Sequence, residues 1–467
     1  MADWLPALPR HRTAGTKHKL LTEVIIADIE RGALRIGDRL PPHRVLAHRL
    51  GVSVQTVSIS YKEAERRGYL RSEVGRGTYV RSRVTERAGR FMLDRSPGDL
   101  VDLSIVRAAY TDQHEQAVRA LMHEMGESEN GPWMRPCRPI AGLDAHREAG
   151  RRWLRRLGLE AETGHILITN GAAQALFVAL ATIVQPGDVV LTEHLTDHGV
   201  IGLASLLGFA LRGLPTDAEG ILPDAFQSAC VAGPVKALVC IPTFGNPSRY
   251  LAGAERRQAI ARIAAHHGVF VVEDEVHKPL LEEPLPSITA LAPELGFFAT
   301  SFTKSVLTGL RTGYLTVPPR YSMRAASILR VTSWSAAPVV AEMATRWIEN
   351  GVAEVLLGVQ RAEMRARQAI VAEVLGTAVV NPHPLALSVW LAVPAHWTEE
   401  ALVRALFSHG VAVTPSDPFV VGPERGAGGI RLCLGGRLSH TRLRAALETV
   451  RDVLAQLAPV NDAGLLG

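Results

Sequence analysis

Past residue 100 the chain alternates helical stretches with short, unbroken apolar runs. These are Ile166-Leu167-Ile168-Thr169, Val189-Val190-Leu191-Thr192, Ala237-Leu238-Val239-Cys240-Ile241 and Val269-Phe270-Val271-Val272. A run without polar alternation suits a strand covered on both faces, and such strands interleaved with helices build a mainly parallel sheet. The body is therefore expected to be α/β. The same pattern points to function, because open parallel sheets bind ligands beyond the carboxyl ends of their strands. At 467 residues the chain exceeds what one core supports, so more than one domain is expected.

The residues following these strands carry the chemistry. After the first comes Asn170-Gly171-Ala172-Ala173-Gln174, a small-residue turn opening a helix, where free N–H groups and the positive helix end suit a phosphate. After the third, Pro242-Thr243-Phe244-Gly245-Asn246-Pro247 presents Asn246 as a donor. After the fourth comes Glu273-Asp274-Glu275-Val276-His277-Lys278, where a buried Asp274 can keep a pyridine nitrogen protonated. A further strand, Phe297-Phe298-Ala299-Thr300, leads into Ser301-Phe302-Thr303-Lys304. Ser301, Thr303 and Arg311 supply hydroxyl and guanidinium donors suited to a phosphate dianion.

Lys304 stands out by composition. Only six of the 51 Lys+Arg residues are lysines. Arginine cannot lose its proton and attack a carbonyl, whereas lysine can. A lysine kept in this hydroxyl-rich turn is thus read as forming a Schiff base with an aldehyde cofactor. Taken singly, each feature has an ordinary alternative: a solvated lysine, a loop acid, a tight turn. Their agreement in one order (cradle, asparagine, aspartate, lysine, arginine) is what selects the functional reading.

That order resembles the fold-type I aminotransferases, which bind pyridoxal 5′-phosphate (PLP), over about residues 100–457. The resemblance implies a large domain with a mainly parallel central sheet and a smaller C-terminal α+β part. By it, Lys304 holds the cofactor, Asp274 pairs with the pyridine nitrogen and Asn246 meets the ring hydroxyl. Gly171, Ala172, Ala173, Ser301, Thr303 and Arg311 hold phosphate. Gly429-Ile430-Arg431-Leu432-Cys433-Leu434 is similar to the strand whose arginine grips a substrate carboxylate, which makes Arg431 the effector-binding position.

The N-terminal part differs in kind. Residues 1–90 hold 18 Lys+Arg against 9 Asp+Glu, while the rest hold 33 against 37. A basic head on a mildly acidic body points to a polyanion partner for the head. Apolar residues at helical spacing predict a helix over 18–30, a second over 43–50 and, after the N-cap candidate Ser53, a third reaching about residue 67. Two short strands, Tyr69-Leu70-Arg71 and Thr78-Tyr79-Val80-Arg81, flank Gly75-Arg76-Gly77. This order is a helix-turn-helix with a wing, its third helix offering Gln55, Thr56 and Ser58 to base edges in the major groove. The wing tip would meet phosphates or the minor groove through Arg76 and Gly77. Val57, Tyr61 and Ala64 can face inward, with the Tyr61 hydroxyl still expected near the phosphates of the DNA backbone.

Gly37-Asp38-Arg39-Leu40-Pro41-Pro42-His43-Arg44-Val45-Leu46-Ala47, Leu50-Gly51-Val52-Ser53 and Gly75-Arg76-Gly77-Thr78-Tyr79-Val80 resemble the GntR family of winged-helix regulators over about residues 16–82. The resemblance implies DNA contacts from Arg44, from the start of the third helix and from the wing. Val54 occupies a position where many members have a guanine-reading arginine. With the body, the whole chain resembles the MocR subfamily: a winged helix at 12–82, a linker at 83–99 and an aminotransferase-like PLP-binding domain at 100–460.

Two departures bear on activity. Asp197 falls where the family usually places an aromatic ring stacked on PLP, which leaves His194 or His198 to stack or the cofactor ring less tightly held. The tyrosine expected shortly after Asp274 is missing, with Val276 and His277 at the matching places. His277 is then expected to bond the ring hydroxyl and to make cofactor binding sensitive to pH near its own titration. These losses weaken proton-shift catalysis more than cofactor binding. A PLP-dependent regulator sensing an amino compound by displacement of Lys304 is therefore expected, as a homodimer in the cytoplasm. A working aminotransferase with a DNA-binding tether and a sensor of PLP itself are the alternatives. The scattered Cys137, Cys230, Cys240 and Cys433 show no metal-ligand spacing, and no apolar run reaches the ~20 residues of a membrane span.

Overall fold

The structure, a computed structural model, describes residues 4, 17–30, 34, 38–66, 69–73, 77–80, 100–128, 131, 139–422 and 428–456. The chain divides into two compact units, Met1–Leu93 and Asp94–Gly467. Arg76 and the expected linker at 83–99 lie outside the described residues.

In the first unit, α1 (Lys17–Glu30), α2 (His43–Leu50) and α3 (Val54–Arg66) share one core. Leu21, Ile25, Leu46, Val57 and Ala64 are buried in it. Gly51 ends α2 at φ 62, a left-handed turn that favours glycine. Ser53 Oγ then accepts the Thr56 N–H at 3.1 Å, so the N-cap read from sequence starts α3. β1 (Leu70–Glu73) and β2 (Gly77–Val80) pair antiparallel as the wing. Leu40 N–H donates to Thr78 O and Val80 N–H to Asp38 O, each at 2.9 Å, which ties the chain before α2 to β2.

In the second unit, β3 (Val101–Asp102) precedes a seven-stranded sheet. Its members are β4 (Ile166–Thr169), β5 (Val189–Glu193), β6 (Ala210–Leu214), β9 (Ala237–Cys240), β10 (Phe270–Asp274), β11 (Gly296–Ser301) and β12 (Gly313–Thr316), with β7 (Thr216–Asp217) and β8 (Gly220–Ile221) as a small hairpin beside it. The order is β4-β12-β11-β10-β9-β5-β6. Only β12 runs antiparallel to its neighbours. Successive residues in each strand feed opposite faces, as the pleat requires. Leu167, Val190, Val239, Val272 and Phe297 pack on one face with Ala175, Val178 and Ala179 of the helix Ala172–Ile183. Ile168, Phe298 and Tyr314 meet Trp153 and Trp347 on the other, and Leu191, Leu238 and Val271 meet Phe226 and Ile260. Both faces are covered, which is why these strands read as unbroken apolar runs.

Sequence reading missed β6 and β12. Ala210-Leu211-Arg212-Gly213-Leu214 is an edge strand of mixed polarity, and β12 is hidden inside the glycine-flanked segment after Arg311. The smaller part is α+β. β13 (Val379–Val380), β14 (Ser388–Ala392), β17 (Gly429–Cys433) and β16 (Thr414–Pro415) form an antiparallel sheet, while β15 (Val411–Ala412) pairs with β3. Leu391, Ile430 and Leu432 pack there against Leu402 and Leu447. Among the described residues no helix is long and apolar enough to cross a membrane.

Candidate cofactor and effector site

The carboxyl ends of β4, β9, β10 and β11 deliver four of the expected groups to one edge of the sheet. At β4, Gly171 takes φ 86 and caps the helix Ala172–Ile183, leaving its first N–H groups without intrahelical acceptors. A Cβ on Gly171 would stand 3.1 Å from the Arg311 guanidinium, so the bare glycine is what lets Arg311 lie against the turn. Ser301 and Thr303 are buried, and both hydroxyls lack any hydrogen-bond partner. Buried hydroxyls are normally satisfied. Two orphaned ones beside a helix N-terminus and a guanidinium fit a phosphate. Ala173 is exposed at this turn.

At β10, three successive acids have three surroundings. Glu273 accepts the Ile288 and Thr289 N–H groups at 2.8 and 2.6 Å. Glu275 pairs with buried Arg257 at 2.5 Å. Asp274, 7 % exposed, receives only a 3.3 Å contact from the Val276 N–H. Burial, with Asp197 adding repulsion, pushes its carboxyl up to about 8. Asp274 therefore carries a proton near neutral pH, and a pyridine nitrogen is the partner that would let it ionise. The site's donor set fits PLP.

Lys304 donates from Nζ to the Val106 carbonyl. Burial first, then Arg431 and Arg311, lower its pKa, against Asp197 and Cys433. The other lysine of this region, the buried Lys278, lies 5.4 Å from the Phe298 ring centre and 4.0 Å from Glu275, in the structural pair with Arg257. Lys304 is thus the amine available to the site.

The remaining groups form one polar chain. Asn246 Nδ2 donates to Asp197 Oδ2 at 2.6 Å, and its Oδ1 accepts from Arg431 at 2.8 Å and Arg249 at 3.3 Å. Arg431 also donates to Ser104 O at 2.8 Å and lies over the Phe419 ring at 4.6 Å. Asp197 caps the helix His198–Leu207 through the Gly199 N–H at 2.7 Å. Its burial favours the neutral acid, but His198, the Gly199 N–H, Arg431 and Lys304 together outweigh that and keep the carboxyl below its ordinary range. The residue at the aromatic position is thus a helix cap and an acceptor for Asn246. His198 turns its edge to Phe419 at 6.3 Å. His277 corrects an expectation. Neither ring nitrogen has a well-formed hydrogen bond, and burial, with Arg249 and Lys304 adding repulsion, holds its pKa well below the usual histidine value. It stays neutral through physiological pH and cannot serve as a titrating switch there.

On the head, Arg44 and Gln55 are exposed, and Ser58 is half-buried. Ser53 and Thr56 share a 2.8 Å hydroxyl contact as part of the cap. Val54 is 45 % exposed at the first turn of α3. A Cβ on Gly77 would meet Arg39 Nε at 2.7 Å, so glycine makes room for that side chain. Tyr61 is the second correction: it is 2 % exposed and its hydroxyl donates to Pro41 O at 2.9 Å. Its hydroxyl braces the turn before α2 and is not offered to phosphates. Arg249 escaped sequence reading, although an arginine just past Asn246-Pro247 was visible.

Comparison with known proteins agrees with this architecture. The pattern "Aminotransferase class I and II" matches residues 99–450, and "Bacterial regulatory proteins, gntR family" matches residues 20–80. The HTH-type transcriptional regulator YdeF of Bacillus subtilis, described as uncharacterized, is 27 % identical over 458 residues, covering 97 % of each chain. The pyridoxine biosynthesis transcriptional regulator PdxR of Corynebacterium glutamicum is 25 % identical over 475 residues, covering both chains fully. A Pyrococcus horikoshii kynurenine aminotransferase structure superposes with a TM-score of 0.71 at 19 % identity, over 80 % of this chain and 94 % of that one, and shares the fold.

The chain belongs to the aminotransferase class I and II family, a PLP-dependent family, and joins that body to a GntR-type DNA-binding head in the layout of the MocR subfamily. Its relatives of the same two-part build are HTH-type transcriptional regulators.

Proposed function

We propose that this protein is a PLP-dependent transcription regulator whose body senses an amino compound and whose head, working as a homodimer, binds an operator. The supporting observation is Lys304, a half-buried amine that donates to the Val106 carbonyl and whose pKa burial lowers, with Asp197, Arg431 and Arg311 as its charged neighbours. When bound, PLP supplies an aldehyde that exchanges primary amines and a ring that withdraws electrons. Ser301, Thr303, Arg311 and the helix N-terminus would hold its phosphate. Asp274 would hold the ring nitrogen and give up its proton to it. Beside Asp197, Lys304 would hold a proton whenever its amine is free, and that charge would bear on Asn246 and Arg431. Only a difference in affinity between two arrangements can transmit this to the head.

The test is gel-shift titration of operator DNA with amines, comparing the native protein with Lys304→Ala, alongside visible absorbance of the reconstituted protein. A ligand response and an absorbance change that both vanish in Lys304→Ala are expected. A response that survives the substitution refutes the reading. A second reading, in which PLP itself is the signal, draws support from the full-length similarity to PdxR. DNA affinity that follows PLP without any amine would select it, and steady turnover of an amino donor with a keto acceptor would select an enzyme.

A further inference from the structure

Arg249 has a backbone φ of 63, in the left-handed region that favours glycine. It is 2 % exposed. Nε donates to Pro247 O at 3.2 Å and Nη2 to Asn246 Oδ1 at 3.3 Å, while Nη1 is buried without a partner. Arg431, 5 % exposed, donates to the same Oδ1 and leaves its own Nε unpartnered. Among the described residues neither guanidinium forms an ion pair with a carboxylate. Asp197 is engaged by Asn246 and Gly199. Two buried cations therefore converge on one neutral carbonyl, and burial followed by Arg431 lowers the Arg249 pKa to about 9. An unpaired buried charge is strongly unfavourable, and a non-glycine residue held left-handed adds strain. Both persist where an incoming partner repays them. Lys304 donates to Val106 O and Arg431 to Ser104 O two residues earlier, while Arg431 and Arg249 meet at Asn246 Oδ1, so the reactive amine and the two guanidiniums share one neighbourhood.

We propose that Arg249 joins Arg431 as a paired guanidinium receptor for an oxyacid group on the effector. The signal is then an amino acid bearing a carboxylate or sulfonate, and a simple amine is discriminated against. Arg249 is the specificity-determining addition, since two planar forks can engage the oxygens of one anion. This inference rests on the amine-sensing reading above.

The experiment uses the full-length protein reconstituted with PLP, followed by visible absorbance and calorimetry. Amino acids and amino sulfonates are each paired with the amine lacking the acid group, for example L-alanine and 2-aminoethanesulfonate against ethylamine. The variant is Arg249→Gly, which suits the observed φ and is expected to keep the melting temperature at or above that of the native protein. Native protein should prefer the acid-bearing members, and Arg249→Gly should lose roughly 10- to 100-fold in their affinity, the scale of a charge-assisted hydrogen bond, with simple amines unchanged. The carboxylate and sulfonate arms then tell which acid is favoured. Equal response to acids and simple amines, or an unaltered preference in Arg249→Gly, overturns the receptor while leaving amine sensing intact. No response to any amine removes the sensing reading itself.

Discussion

Replacing Asp274 with asparagine should stabilise the cofactor-free protein at alkaline pH. The native carboxyl titrates at about 8 instead of its ordinary 3.8. Between those values the folded state holds a proton that the unfolded chain has released, so stability falls as pH rises through the window. Four units at about 1.36 kcal/mol each set the total on the order of 5 kcal/mol. For a body of this size one kcal/mol moves the melting midpoint by about 1–2 °C. Asp274→Asn keeps the shape of the neutral acid and removes the titration. Melting curves of the cofactor-free native and variant proteins should therefore coincide at pH values below the ordinary 3.8 and diverge progressively above it, by several degrees at pH 8, the variant being higher. With PLP the order reverses, because the variant lacks the anion that a protonated ring nitrogen needs. Parallel pH profiles without PLP would show that Asp274 ionises normally, and the assignment of its proton to the ring would fail.

Other substitutions probe the remaining contacts. Ser301→Ala and Thr303→Val remove hydroxyls that are buried and unpartnered, so the cofactor-free protein should melt unchanged or slightly higher while PLP affinity, read by fluorescence, drops about tenfold for each. Gly313→Ala places a Cβ 2.8 Å from the Gly171 carbonyl carbon and 2.7 Å from Thr169 Oγ1, so it should displace the phosphate turn and lower both PLP affinity and the melting temperature. Tyr61→Phe strips the Pro41 carbonyl of its donor and should destabilise the head by about 1 kcal/mol in denaturant titrations of the full chain. Operator affinity of the folded Tyr61→Phe protein should hold steady, and a large loss would restore a DNA contact to that hydroxyl.

The sheet was legible because its strands are covered on both faces and so carry unbroken apolar runs. β6 and β12 were not, since an edge strand tolerates Arg212 and Gly213 and a four-residue strand after a turn gives no periodic signal. The site's charged groups were readable as residue types after strands, but their partners were not. That Asn246 binds Asp197 at one end and two arginines at the other depends on Arg431 of β17 reaching the loop after β9 across 185 positions of sequence, and on Asp197 reaching it across 49. Tyr61 misled for a related reason: an aromatic with a polar tip reads the same whether the tip meets DNA or a carbonyl 20 residues back.

Asp197 constrains how this pocket can change. One side chain starts the helix His198–Leu207, anchors Asn246 and faces Lys304 as its counter-charge. Putting an aromatic ring there would forfeit roughly 1 kcal/mol of helix capping and loosen the amide that two guanidiniums share. Any change at Asp197 is therefore felt at Arg249 and Arg431 as well, through the one amide that all three share.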